Sequence, residues 1–188
     1  MLIDNYDSFT FNVYQLVSAV SGPSAEIQVV RNDASTVEAV LGWRPTHLVL
    51  SPGPGHPADS RLSLELATGS TGIPTLGICL GHQAIAVALG GRVSHSPHPT
   101  HGRAVPVEHH GRSRLFTGIP RPFRAGLYHS LAVDPAGLPA ELAVTARSAS
   151  GDIMAIEHVG RPLFGVQFHP ESFLTEGGAV LISNFLES

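Results

Sequence analysis

Two short stretches carry residues that could do acyl-transfer chemistry. The first, Gly77-Ile78-Cys79-Leu80-Gly81-His82-Gln83, holds the only cysteine of the 188-residue chain. An apolar run from Pro74 to Ile78 leads into it, and Gly81 to Leu89 leads out with helical spacing, so Cys79 is expected at a strand-to-helix junction. Gly77 and Gly81 stand two residues away on either side, which allows a sharp turn and a close approach of backbone. The layout matches in form the nucleophile elbow of hydrolases, with sulfur in place of a hydroxyl. The first N–H groups of the helix would favour the reactive thiolate. A buried structural cysteine at the end of a core strand is the other reading that the heptapeptide allows.

The second stretch, Gly165-Val166-Gln167-Phe168-His169-Pro170-Glu171-Ser172, offers a base. A cysteine nucleophile needs a group to take its proton and return one to the leaving group, and that group needs an orienting partner. His169 precedes a proline and is biased to an extended backbone, in which residues two apart project to one side. His169 and Glu171 can therefore act as a unit, the carboxylate holding the imidazole in its working tautomer. An H-P-E string is equally at home in an ordinary loop. Its position far downstream of Cys79 is what a triad assembled in space would show.

The elements that must position these residues alternate through the first half. Leu2-Ile3-Asp4 is expected as the end of a first strand, and a helix carried by Phe9, Val13, Leu16, Val17 and Val20 follows, with Asp7 or Ser8 as cap. Ala25 to Val30 is predicted as a second strand and Ser35 to Leu41 as a brief helix capped by Asp33 or Ser35. Thr46 to Leu50 reads as a strand buried on both faces, Arg61 to Thr68 as a helix, and the Cys79 strand and helix come next. This alternation implies an α/β fold, a three-layer α/β/α arrangement around a central, mostly parallel sheet. Ligands gather beyond the carboxyl ends of such strands, so the Gly53-Pro54-Gly55 loop should lie at the same sheet edge as the thiol. Read by itself, that string is also a plain tight turn.

Beyond Gly90-Gly91, Pro and Gly are frequent and the segments Ala104 to Glu108, Phe123 to His129, Leu142 to Ala146, Ile153 to Glu157 and Leu163 to Phe168 are strand-like. They read as a small antiparallel extension and a return to the main sheet within a single domain spanning residues 1–188, closed by a helix from Ala179 to Leu186.

Composition narrows the function classes. A net charge of -4 argues against a nucleic-acid footprint, no apolar run approaches the ~20 residues needed to span a bilayer, and one cysteine excludes an internal disulfide. With no basic-then-apolar stretch at the start, a cytoplasmic protein handling small molecules or other proteins is expected. His98, His101, His109 and His110 lack cysteine companions at ligand spacing and read as surface loop histidines, so no metal site is expected.

Taken together, GICLGHQ at 77–83, LSPGPG at 50–55 and GVQFHPE at 165–171 resemble the class I (triad) glutamine amidotransferases over essentially the whole chain. LIDNYDSFTFN at 2–12, YHSL at 128–131 and HPES-LTE at 169–176 are similar to the small glutaminase subunits of anthranilate synthase and of aminodeoxychorismate synthase.

The resemblance implies that Cys79 attacks the side-chain amide of L-glutamine to form a γ-glutamyl thioester, with His169 as acid and base and Glu171 orienting it. It further implies an oxyanion site from the Leu80 N–H and a glycine N–H of the Gly53-Pro54-Gly55 loop, and a seat for the amino acid end of glutamine at Gln83 and the Ser130-Leu131 backbone. The freed ammonia would pass to a larger chorismate-binding synthase subunit, which is expected to need Mg2+; no cofactor is expected in this subunit.

Leu127 and Thr100 depart from the arginine and methionine usual at these places. The departures bear on partner contacts and pathway. A freestanding cysteine γ-glutamyl hydrolase and an amidotransferase of a specialised chorismate or isochorismate pathway are the competing enzymatic readings. A non-enzymatic subunit that keeps the fold is the third. The Asn5-Tyr6-Asp7-Ser8 surface is expected either to form part of a docking face or simply to start a capped helix.

Overall fold

Apolar three- and four-residue strands lie at the centre of a computed structural model that describes residues 1–111 and 113–188. In chain order the first half forms β1 (Leu2–Asp4), α1 (Thr10–Ser21), β2 (Val29–Arg31), α2 (Val37–Gly42), β3 (Leu48–Leu50), α3 (Arg61–Thr68), β4 (Thr75–Ile78) and α4 (Leu80–Ala88). The second half adds β5 (Val93–His109), β6 (Phe123–Val133), β7 (Leu142–Ser148), β8 (Ile153–His158), β9 (Leu163–Val166) and α5 (Gly178–Leu186). All these strands join one sheet in the order β2-β1-β3-β4-β9-β8-β7-β5-β6. Pairing is parallel from β2 through β9 and antiparallel from β9 to β6.

Strand alternation sends successive side chains to opposite faces and so divides the core in two. Leu2, Val49, Leu76, Ile78 and Val166 pack against Val13 and Val17 of α1 and Leu181, Ile182 and Phe185 of α5. Ile3, Leu48 and Leu50 pack instead against Val40 of α2, Leu62 and Leu66 of α3 and Ile85 and Ala86 of α4. The expected three-layer α/β/α fold results. β3, β4 and β9 are buried along their whole length, as strands covered on both faces must be.

Several local expectations shift. β2 covers only Val29–Arg31, because its one neighbour β1 offers three residues to pair with. α2 is capped by Thr36, whose Oγ1 accepts the Ala39 N–H at 3.3 Å, and not by Asp33 or Ser35. α1 starts at Thr10, with Phe9 in the cap position and no side-chain cap. Asp7 holds the turn before it by accepting the Phe9 N–H at 2.6 Å. β5 runs 17 residues where only Ala104 to Glu108 was expected. Pro97, Pro99 and Gly102 interrupt the apolar alternation, and the ladder to β6 absorbs them at two irregularities, between His95 and Thr100 and between His101 and Arg103, while Pro106 pairs in register with Arg124. His98, His101 and His109 accordingly lie in a strand, not a loop. His109 is also not at the surface: it is buried and stacked on Phe116 with ring centroids 4.9 Å apart. No helix among the described residues is long and apolar enough to cross a membrane.

Candidate active site

Cys79 joins β4 to α4 with φ 52° and ψ −100°, a sparsely populated conformation for a residue with a side chain. Strain of this kind, of order 1–3 kcal/mol, persists only where surrounding contacts dictate it. Here they do. The Cys79 N–H donates to Val166 O at 2.8 Å, and its carbonyl accepts from the Gln83 N–H at 3.1 Å. Gly77 and Gly165 are paired in register on neighbouring strands and make a floor for α4. A Cβ on Gly77 would sit 2.4 Å from Gly81 backbone, and one on Gly165 2.8 Å from His82 Nδ1. The helix can therefore descend onto the sheet directly after the turn, leaving the thiol at the strand's carboxyl end with 7% exposure.

Beyond the end of β9 the chain bends at Gln167 and Phe168; Phe168 enters the core, while Gln167 and His169 both come beside Cys79. His169 Nδ1 and Glu171 Oε1 are 2.6 Å apart, with both side chains buried. The rings of Tyr128 and Phe9 meet the imidazole edge-on at 5.0 and 5.7 Å. The backbone is pinned as well, the His169 N–H donating to Gly126 O at 3.0 Å and Thr175 Oγ1 donating to His169 O at 2.6 Å. Burial disfavours the charged ring, but the neighbouring Cys79 sulfur and the Glu171 carboxylate outweigh it and raise His169 to about 10. Nε2 has no partner among the described residues. With Nδ1 committed to Glu171 and the sulfur among its neighbours, the ring can exchange a proton on the thiol side.

The Gly53 to Gly55 loop leaves β3, the strand paired with β4. A Cβ on Gly53 would lie 2.6 Å from both Asn5 O and Leu80 Cδ2, so only glycine lets the loop press against the residue that follows the nucleophile. Leu80 is the first residue of α4, and its N–H has no intrahelical acceptor. The loop and the elbow thus stand side by side, and Pro54 and Gly55 are exposed at the mouth.

Gln83 is buried, and its Nε2 donates to Leu131 O at 2.9 Å and to Gln167 Oε1 at 3.0 Å. Leu131 O also takes His129 Nδ1 at 2.9 Å. Ser130 is exposed, its hydroxyl paired with His101 Nε2 at 2.9 Å. The structure therefore gathers Cys79, Leu80, Gln83, Leu131 and the His169–Glu171 pair around the carboxyl end of β4. Leu127, one of the two departures, is buried in the core.

Sequence reasoning missed two residues. Asn5 is 3% exposed, not part of a docking surface: its Nδ2 donates to Ser51 O at 2.8 Å and its own N–H to Ser51 Oγ at 2.8 Å. Gln167 is fully buried and points its amide at the sulfur, Nε2 to Sγ 3.5 Å. The i, i+2 spacing from His169 was the available signal. Among the described residues there is no group of three or more His, Cys, Asp or Glu that could hold a metal ion.

A model of the class-I glutamine amidotransferase family matches residues 1–188. Anthranilate synthase component 2 of Azospirillum brasilense is 47% identical over 190 residues, covering 100% of this chain and 95% of that protein. Aminodeoxychorismate synthase component 2 of Escherichia coli is 45% identical over 187 residues, covering 99% and 98%. The bifunctional protein TrpGD of Thermotoga maritima is 46% identical over 187 residues; the match takes in 99% of this chain, which spans only 31% of that longer protein. The solved structure of a GMP synthase component from Thermoplasma acidophilum superposes with a TM-score of 0.85 at 26% identity, over 99% of this chain and 90% of that one. A strand-to-helix cysteine, a buried histidine–carboxylate pair and full-length relatives of these kinds agree: the chain belongs to the class-I glutamine amidotransferase family, whose members act as glutaminases.

Proposed function

We propose that this chain is the glutaminase subunit of a chorismate-aminating synthase, of the anthranilate or aminodeoxychorismate type, and that Cys79, His169 and Glu171 carry its chemistry. The observation that supports the reading best is the buried His169–Glu171 pair at 2.6 Å beside the strained Cys79 turn. The Cys79 thiolate attacks the side-chain carbonyl carbon of L-glutamine, and the oxyanion that forms is held by the Leu80 N–H and a glycine N–H of the Gly53-Pro54-Gly55 loop. One such donor is worth on the order of 3 kcal/mol in the transition state. The C–N bond then breaks, and the nitrogen takes a proton from His169 and leaves as ammonia. Water attacks the thioester, His169 takes its proton, and the C–S bond breaks to release glutamate and restore the thiolate. Glu171 keeps the imidazole oriented throughout, while Gln83 and the Ser130-Leu131 backbone seat the amino acid end of the substrate.

Ammonia passes under shelter to the larger chorismate-binding subunit, where any Mg2+ requirement resides. Shelter is needed because ammonium has no lone pair with which to attack. A reactive unpaired thiol suits a reducing, cytoplasmic setting. The test is reconstitution with the native partner. Cys79→Ala should abolish glutamine-dependent synthesis and leave ammonia-dependent synthesis intact, and identifying the product as 2-aminobenzoate or 4-amino-4-deoxychorismate assigns the pathway. Glutamine-dependent activity surviving in Cys79→Ala sinks the reading. Cleavage of γ-glutamyl peptides by the isolated chain would replace it with a freestanding hydrolase.

A further inference from the structure

A one-way series of hydrogen bonds runs from the β6 backbone to the reactive sulfur. It starts at Leu131 O, which can only accept, and which takes one hydrogen of Gln83 Nε2 at 2.9 Å. The second hydrogen goes to Gln167 Oε1 at 3.0 Å. With its oxygen committed to Gln83, Gln167 turns its own NH2 outward, and Nε2 meets Cys79 Sγ at 3.5 Å. Reversing Gln83 would set its oxygen against the Leu131 carbonyl, and reversing Gln167 would set its NH2 against that of Gln83, so the one backbone carbonyl orients both side chains.

Both glutamines are buried, and a donor facing a charged acceptor counts for most where water is excluded. The main chain of Gln167 is held too, its N–H donating to Met154 O at 2.9 Å. One segment therefore supplies the Val166 carbonyl to the Cys79 N–H, the Gln167 amide to the sulfur and the His169 imidazole.

We propose that Gln167 is a further catalytic residue of this site, its side-chain N–H stabilising the Cys79 thiolate, and that Gln83 positions it. The proposal rests on the glutaminase reading for its consequence in turnover. A thioester sulfur carries far less charge than a thiolate, so the Gln167 donor is weakest on the acyl-enzyme and strengthens as the C–S bond breaks and its electron pair returns to sulfur. Losing the donor should lower the supply of thiolate and also slow its departure, so that the thioester accumulates. Because Gln83 also belongs to the proposed seat for glutamine, the seat and the nucleophile share one amide.

The experiment compares wild type with Gln167→Glu, which keeps the shape and replaces the donor by an acceptor, and with Gln167→Met, which removes both. Cys79 is the chain's only cysteine, so alkylation by iodoacetamide, followed by intact mass, reads it alone. Both folded variants should alkylate about tenfold more slowly at neutral pH, the size of one hydrogen bond to a charged group. Their pH profiles should move to higher pH, Gln167→Glu furthest. The kcat for glutamine should fall, with thioester visible by mass at steady state.

A wild-type pH profile in folded Gln167→Glu overturns the proposal. Should the variants fail to fold, NMR of the wild-type Gln167 side-chain amide supplies the test: its resonances should titrate with the thiol, and invariance overturns the proposal. A wild-type chain that turns over no glutamine would defeat the glutaminase reading, yet the alkylation comparison would still decide what Gln167 does to the sulfur.

Discussion

Asn5 and Ser51 are tied twice, the Asn5 N–H to Ser51 Oγ and the Asn5 side-chain amide to Ser51 O, both at 2.8 Å. Asn5 Oδ1 meanwhile accepts from Asn32 Nδ2 and Ser63 Oγ at 2.9 and 3.0 Å. One buried side chain thereby anchors the end of β1, the helix α3 and the start of the Gly53 to Gly55 loop. Asn5→Ala leaves buried partners unsatisfied and should cost about 1–3 kcal/mol in urea unfolding. It should also lower kcat for glutamine more than it raises KM, because the loop carries proposed transition-state donors. An unchanged kcat in the folded variant would detach Asn5 from the site.

Gly53→Ala tests the loop itself. The added methyl would lie 2.6 Å from the Asn5 carbonyl and 2.7 Å from Asn5 Cβ, atoms that cannot swing aside. The loop must move, and kcat should fall on the order of 100-fold, the effect of a displaced oxyanion donor. Steady-state kinetics with retained thermal stability is the check.

Glu171→Gln keeps the shape and removes the charge beside His169. Activity should drop on the order of 100-fold, as for loss of a working general acid–base group. The variant also predicts a change in stability with pH. His169 is raised to about 10 when folded, against an ordinary value near 6.5. A group raised on folding lends stability that is full below the lower value and lost as pH climbs through the upper one. Wild type should therefore lose stability between about pH 6.5 and about pH 10, and Glu171→Gln should lose less over that window. Parallel curves of melting temperature against pH would refute the assignment.

His82 works in the opposite direction. It is fully buried beneath the elbow and neither ring nitrogen has a partner among the described residues. Burial depresses it to about 3. The unfolded chain then binds a proton that the folded one refuses, so stability should fall as pH drops from about 6.5 towards about 3. His82→Leu removes a proton acceptor without leaving a polar group unmatched, and its acid unfolding midpoint should move to lower pH. An unmoved midpoint would show that another group governs acid unfolding.

How much of this was legible in the sequence differs by element. α3 falls where its pattern predicts, at Arg61–Thr68, because one apolar stripe and one exposed Arg61–Glu65 pair define it locally. β3 and β4 lie where apolar runs between turns place them, but β3 is buried only over Leu48–Leu50, two residues shorter than the Thr46 to Leu50 run, whose first residue is exposed. β5 was legible only over Ala104 to Glu108, since prolines and a glycine disguise the rest of a strand that pairs with β6 along most of its length.

The same division runs through the site. Residue types and spacing marked Cys79 between its glycines, the His169–Glu171 pair two residues apart and the Gly53 loop as candidates, because each is a local pattern with local geometric consequences. Each stood beside a plainer structural reading, and the family resemblance joined them. Whether Asn5 faced solvent or Ser51, whether His109 lay on the surface or against Phe116, and where the Gln167 amide pointed were decided by tertiary packing alone. A buried polar side chain must find its partner across the fold, and those partners come from strands and loops brought together only when the sheet closes.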